Sequence, residues 1–309
     1  MKPRFAALLA AVASTLSVTT ALGQTKLTIG YSGANVFMAS FVAKDQGFFA
    51  KRGMDVTLQL VQIGSVAAAA MQAGSLQVGA VTVPQFLLSV EGGVESQIVA
   101  GASFQSRTNP TIGVVAREGS NIKSVTDFRG KRVGIPGFNG VNHVVMVKWL
   151  KNGGVDASQV TFVETLFPQM GDLLKGGQID AATPAEPFLG RIQQTKSGYL
   201  VSAYGGEVSP SYLESFYIMT RDFVQKNPKV AREFKEAIRE AVDWIGKNET
   251  EARKTQVTYL KIPEPVAMSI RMPTLAADVQ PQDVQFWIDL CRELGVTKGT
   301  ATAQQVLYR

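Results

Sequence analysis

The chain has 309 residues, with 31 basic and 25 acidic side chains, one histidine and one cysteine. That length suits two domains of ordinary size, and a net charge of +6 with no dense Lys/Arg block interleaved with aromatics argues against a nucleic-acid partner. One cysteine permits no internal disulfide, one histidine and one cysteine cannot furnish a zinc site of the usual nitrogen and sulfur ligands, and no clustered acids offer a carboxylate site, so neither metal nor cofactor is expected.

The first 23 residues read as a secretory signal. Lys2 and Arg4 give a positive start, Phe5 to Val18 form a largely apolar run, and Ala21-Leu-Gly23 supplies small residues before Gln24. The run is short for a membrane anchor, and no later stretch is longer. No cysteine follows Gly23, so the lipid-attachment signal of bacterial lipoproteins is missing. The expectation is a soluble, exported, periplasmic chain whose charge falls to +4 once Lys2 and Arg4 are removed.

From Leu27 the chain alternates strand and helix. Leu27 to Tyr31 ends in Ser32-Gly-Ala-Asn35, a loop suited to cap the next helix, on which Phe37, Phe41 and Phe48 share a face. A strand from Val56 to Val61 ends at Gly64–Ser65, with Ser65 placed to cap the alanine-rich helix Val66 to Ala73. A third strand ends at Thr82-Val-Pro84, and a helix follows from Gln85 to Glu91. In an open parallel sheet ligands bind beyond the carboxyl ends of the strands, so Ser32, Gly33, Asn35, Gly64, Ser65 and Thr82 all fall on one candidate edge.

A strand from Gln97 to Ala102 leads to residues 103–111, read as a first crossing between lobes, where Arg107 is the basic residue placed to reach a ligand or else a solvated surface arginine. After the strand Ile112 to Ala116 the opening pattern repeats. Arg132 to Ile135 is a strand, Gly137 and Gly140 form a permissive loop, and a helix runs from about Val141 to Gly153–Gly154 with Lys148 and Lys151 in its last turn. Uncapped N–H groups and half a positive charge make that helix start a place to hold an anion or a carbonyl. The intervals match those of the first half: strand, helix, Lys-Arg-Gly53 or Gly154, strand, helix, and then Gly74-Ser-Leu-Gln-Val-Gly-Ala80 or Gly177-Gln-Ile-Asp-Ala-Ala182. Two β-α-β-α-β units of one design point to two similar α/β lobes.

The second unit offers polar loops at Phe138-Asn139-Gly140, near Thr165, and at Thr183 to Pro187. A strand from Tyr199 to Ala203, a return crossing over residues 205–215 and a strand from Phe216 to Thr220 follow. The rest is helical, with Val230, Phe234, Ile238, Ala241 and Ile245 as one apolar stripe after Asn227–Pro228 and a last helix from Pro281. Cys291 falls on the stripe of Val284, Trp287, Ile288 and Leu294, which marks it as core. The chain shows no G-x-S-x-G, no G-x-x-x-x-G-K-[ST] and no G-x-G-x-x-G. A serine triad would need His143, whose place in the first turn of a helix lowers its pKa. His143 is expected to be neutral, either lining a pocket or packed on its helix. Paired lobes with polar loops and no reactive constellation suggest capture of a ligand by closure rather than catalysis.

The stretches LTIGYSG, DQGFFAKRGMDVTLQL, AAMQAGSLQVGAV, SVTDFRGKRVGIPG, LLKGGQIDAATPAEP and TRDFVQKNPKV, in this order, resemble the periplasmic solute-binding proteins of ABC importers in the nitrate/sulfonate/taurine group, which includes binders of thiamine pyrimidine precursors. The resemblance implies a two-lobed periplasmic-binding-protein fold of type II. Lobe I would comprise residues 24–107 and 220–309, lobe II residues 108–219, and two crossing segments would join them. It implies a monomer that takes a small solute, either a sulfonate, a carboxylate or an aromatic or heterocyclic compound, to a permease in the inner membrane. Carried over by position, the ligand loops would be Ser32 to Asn35, Gly64–Ser65, Thr82, Phe138 to Asn142 and Glu186–Pro187. The run Phe138, Asn139, Gly140, Val141, Asn142, His143 departs from the small hydroxyl residues of many sulfonate binders and suits a heterocyclic solute, unless Phe138 is a plug on its own lobe. Glu186 would repel an anion, and it is expected either to pair with Arg191 or to accept a ligand N–H. The receptor of a TRAP-type secondary transporter has a similar outline, and thiamine-pyrimidine synthases resemble the family too, although their cysteine-rich motif is missing here.

Overall fold

The computed structural model describes residues 24–61 and 65–308, and only the backbone of residues 65 and 66. The expected signal segment and Gly64 therefore lie outside the described residues, as does the side chain of Ser65.

Two sheets organise the chain. β1 (Thr25–Tyr31), β2 (Met54–Leu60), β3 (Val78–Thr82) and β4 (Ser96–Ser106) build the first, together with two strands supplied later. β5 (Val114–Arg117), β6 (Arg132–Ile135), β7 (Thr161–Glu164), β8 (Ala181–Ala182) and β9 (Gly198–Ser202) build the second. The chain then returns through β10 (Ser211–Thr220), and β11 (Thr274–Leu275) adds a short edge. The strand orders are β11-β4-β10-β3-β1-β2 and β7-β6-β8-β5-β9.

The repeat read from the sequence is present in the topology. β2, β1 and β3 run parallel, as do β7, β6 and β8. The fourth strand of each sheet is antiparallel and lies next to a crossing: β10 beside β3, and β5 beside β8. Each lobe is thus completed by the strand on which the chain enters or re-enters it.

The crossings differ from expectation at both ends. β4 continues to Ser106 and β10 begins at Ser211, because residues 211 to 220 hydrogen-bond to residues 96 to 106 along nearly their whole length. Residues 211–219, expected in lobe II, therefore belong to the first sheet, and the links are the shorter segments 107–113 and 203–210. Arg107 fastens them together. Its backbone N–H donates to Pro210 O at 2.9 Å, and its Nε donates to Gly206 O at 2.7 Å.

The carboxyl-terminal helices pack back on the first sheet as their apolar stripes require. Helix Pro228–Lys247 buries Phe234, Ile238, Ala241 and Ile245, and Phe234 stacks on Phe49 with ring centroids 5.4 Å apart. Helix Pro281–Glu293 buries Val284, Trp287, Ile288 and Cys291. Burial pushes the Cys291 thiol up to about 12, which makes it an inert core residue.

Candidate functional site: a cleft between the two sheets

Three helices begin at the seam between the lobes. The turn Asn35–Phe37 leads into helix Met38–Asp45, Thr82 precedes helix Val83–Glu91, and Gly140 precedes helix Val141–Asn152. None of these starts is closed by a side-chain cap; the first is closed by the Glu186 carbonyl, which accepts from Asn35 N–H, so the N–H groups available to a ligand are those at the starts after Thr82 and Gly140. Between them lies a cleft. Lobe I lines it with Ser32, Ala34, Phe37, Val81, Thr82 and Gln85, and lobe II with Pro136, Gly137, Gly140, Val141, Asn142 and Phe167. The cavity measures about 60 Å³, well above the ~10–15 Å³ needed to hold one water. Most of its wall is apolar.

Its polar part is made by Ser32, Thr82, Gln85, Asn142 and a carboxylate that sequence reasoning missed. Glu214 of β10 lines the cleft and is 3% exposed. Along the β10–β4 pair, Leu213 stands opposite Phe104 and Ser215 opposite Ser103, which leaves Glu214 as the extra residue of a bulge. A bulge re-aims one side chain out of the pleat, and this one turns a carboxyl into the seam. The neighbouring Leu213 carbonyl accepts from Trp287 Nε1 at 2.6 Å, which anchors the bulge to the last long helix. Gln105 Nε2 donates to Glu214 Oε2 at 2.8 Å, and Ser103 Oγ donates to the same oxygen at 3.2 Å. Among the described residues Oε1 takes no hydrogen bond. Burial pushes the carboxyl up to about 7, against the downward pull of Gln105 and Ser103. The sequence signal was a single acid inside the apolar run Tyr-Leu-Glu-Ser-Phe-Tyr-Ile-Met, since a charge in a buried strand needs a reason.

Of the residues singled out from sequence, Ser32, Thr82, Gly140 and Asn142 line this cleft. Thr82 Oγ1 donates to Gln85 Oε1 at 3.1 Å, which leaves the Gln85 amide group beside Gly137 and Gly140. Asn142 is held from behind, its Nδ2 donating to Thr183 O at 2.7 Å. Gly33 lies just outside, with its backbone close to Phe188 of the other lobe.

Others sit elsewhere. Asn35 is fully buried as a strut. Its Nδ2 donates to Arg271 O at 3.0 Å, and its N–H donates to Glu186 O across the lobes at 3.2 Å. Arg107 is committed to Gly206 and does not reach the cleft. Phe138 is 48% exposed and meets lobe I at a neighbouring depression beside Phe86 and Leu88. Asn139 adopts a left-handed φ of 56°, which asparagine tolerates, and its N–H donates to His143 Nδ1 at 3.1 Å. The His143 ring packs edge-on against Phe138 and Phe162, and burial lowers its pKa to about 4. Of the two roles open to it, the structure shows the packed one.

Glu186 does not pair with Arg191. Its carboxylate accepts from Gly190 N–H at 3.1 Å. Burial raises its pKa, while that bond and the charge of Arg271 oppose the rise. The adjoining Pro187 follows a cis peptide and precedes helix Phe188–Gln194. Neither residue lines the cleft.

A family model described as NMT1/THI5 like matches residues 34–252. The nitrate/nitrite binding protein NrtA of Nostoc sp. is 25% identical over 256 residues, covering 75% of this chain and 57% of that protein. A putative binding protein of Brucella abortus is 24% identical over 223 residues, covering 72% and 67%. Among solved structures, the alkanesulfonate-binding protein SsuA from Xanthomonas axonopodis pv. citri bound to MOPS superposes with a TM-score of 0.80 at 17% identity, over 94% of this chain and 100% of that one. That likeness carries the two-lobed fold. No helix among the described residues is long and apolar enough to cross a membrane. Since the matched family model spans more than half of the sequence, this chain belongs to the NMT1/THI5-like family.

Proposed function

We propose that this chain is a periplasmic receptor that captures one small organic solute and delivers it to the permease of an ABC importer, without making or breaking a bond in it. The observation that carries the reading is the cleft itself. Two lobes each contribute helix starts with unclosed N–H groups and small polar side chains, and two short links allow the lobes to move about the seam. Relatives named for nitrate and alkanesulfonate binding share the family or the fold. The lone cysteine, buried among Trp287 and Ile288, gives a synthase-like reaction no thiol to work with. We divide the chain into lobe I, residues 24–106 and 211–308, and lobe II, residues 114–202, acting as a monomer. The ligand-contacting residues in this reading are Ser32, Thr82, Gln85, Gly140 and Asn142.

The test is native mass spectrometry of protein purified from its host, with thermal melting in a metabolite extract. One retained molecule per chain and a raised melting temperature are expected. An extract that leaves melting unmoved, from protein that retains nothing, overturns the reading.

A further inference from the structure

The charge inside the cleft bears on the class of solute, and the inference rests on the receptor reading above. Glu214 is the one ionisable side chain lining the cavity among the described residues, and the undescribed stretch 62–64 is Gln-Ile-Gly, which adds no charge. A receptor for a bare oxyanion would place its ligand beside this carboxyl with no lysine, arginine or histidine to offset it. The protein spends a bulge on aiming Glu214 inward and fixes only one of its oxygens, through Gln105 and Ser103. The other side of the cleft has the opposite polarity, because the helix starts at Thr82 and Gly140 offer N–H donors.

We propose that the cleft selects a small dipolar solute that presents the N–H donors of an amine or amidine group to Glu214 Oε1 and an acceptor oxygen or nitrogen to the helix starts. Charge-assisted hydrogen bonds are the strong ones in a dry site, and a solute lacking the donor leaves a buried acceptor unpaired. The groups around the carboxyl do not take the donor's place. Tyr204 and Tyr212 stand near it with phenols pushed well up by burial, and Gln105, Ser103 and Ser215 are neutral. A cationic nitrogen at Oε1 favours the ionised carboxylate, so its binding releases a proton below about pH 7. An oxyanion would instead draw a proton onto Glu214.

The experiment uses matched pairs on the full protein: β-alanine against propionate, and 2-aminopyridine against pyridine, with nitrate and methanesulfonate as bare oxyanions. Calorimetry in buffers of different ionisation enthalpy reads affinity and proton exchange together. In each pair the nitrogen donor should bind at least about tenfold tighter, and below about pH 7 β-alanine, whose nitrogen arrives as a cation, should bind with net proton release. Glu214→Gln should bring the β-alanine preference close to unity while the variant still melts cooperatively. Equal affinity within the pairs, or tighter binding of nitrate or methanesulfonate with proton uptake, overturns the inference and leaves the receptor reading standing. A retained native solute without a nitrogen donor overturns it likewise, whereas protein that responds to no probe and no extract overturns both.

Discussion

Gln105 Nε2 donates to Glu214 Oε2 at 2.8 Å across β4 and β10, the two strands that carry the chain out of the first lobe and back into it. The same amide nitrogen also bonds to Thr111 in the outgoing link. One buried side chain therefore ties the cleft carboxyl to the segment about which the lobes would turn. Occupancy of the cleft and the posture of the links share a hydrogen-bond network, which is how a bound solute can bias closure.

The raised Glu214 pKa gives a stability prediction with a definite sign. The folded protein holds the proton more tightly than the unfolded chain, so stability is fully present below pH 4.5 and falls as pH rises toward about 7. The loss should be on the order of 3 kcal/mol. Glu214→Gln should remove this slope and make the protein more stable than wild type near neutrality. Denaturant unfolding on both sides of the interval measures it, and an unchanged slope in the variant would contradict the assignment.

His143 should act in the opposite direction. Its folded pKa lies below the usual 6.5, so its stabilising contribution is present above that value and is lost as pH falls toward about 4. Over the shared interval the two residues partly cancel in wild type. His143→Gln should therefore expose the full Glu214 slope in unfolding titrations. It should leave solute affinity within about twofold, because the ring faces Phe138 and Phe162 rather than the cleft.

Gln85→Ala should weaken solute binding by about three- to tenfold, the worth of one neutral hydrogen bond, with little change in the melting of the empty protein. Arg107→Ala should leave affinity nearly unaltered, since its guanidinium clamps Gly206. Isothermal titration of both variants with the native solute separates them, and a larger effect for Arg107 would refute the placement of the site.

Gly101 sits in β4 where an added Cβ would lie 2.5 Å from Ala276 O, a backbone atom that cannot swing aside. Gly101→Ala should cost about 1–3 kcal/mol. At Gly33 the nearest atom to an added Cβ is 3.9 Å away, so Gly33→Ala should fold as well as wild type. Equilibrium unfolding of the pair tests the packing of the first sheet.

Lys148 and Lys151 reach Glu293 across the lobes at 2.6 and 3.0 Å. These groups are substantially exposed, so Glu293→Gln should shift the closed population of the empty protein by less than about 1 kcal/mol. Small-angle scattering in low salt should show a slightly larger radius for the variant, and added salt should erase the difference.

The duplicated strand–loop–helix pattern, the starts of helices Val141–Asn152 and Pro281–Glu293 and the inward stripe holding Cys291 were all legible in the sequence, because each follows from local spacing, capping chemistry and periodicity. Thr82, Gly140 and Asn142 fall on the cleft wall for the same reason: the carboxyl edge of a parallel sheet is a consequence of connectivity. The directions of Arg107, His143 and Glu186 were not legible, since a side chain's direction depends on partners distant in sequence, here Gly206, Phe162 and Gly190 with Arg271. Glu214 shows the limit most plainly. Its bulge exists only once β10 pairs with β4, more than a hundred residues earlier, and neither periodicity nor propensity encodes a register shift. Local spacing and periodicity were enough to give two similar lobes with polar loops at the carboxyl ends of their parallel strands. Tertiary pairing alone decided that a carboxylate faces the space between them.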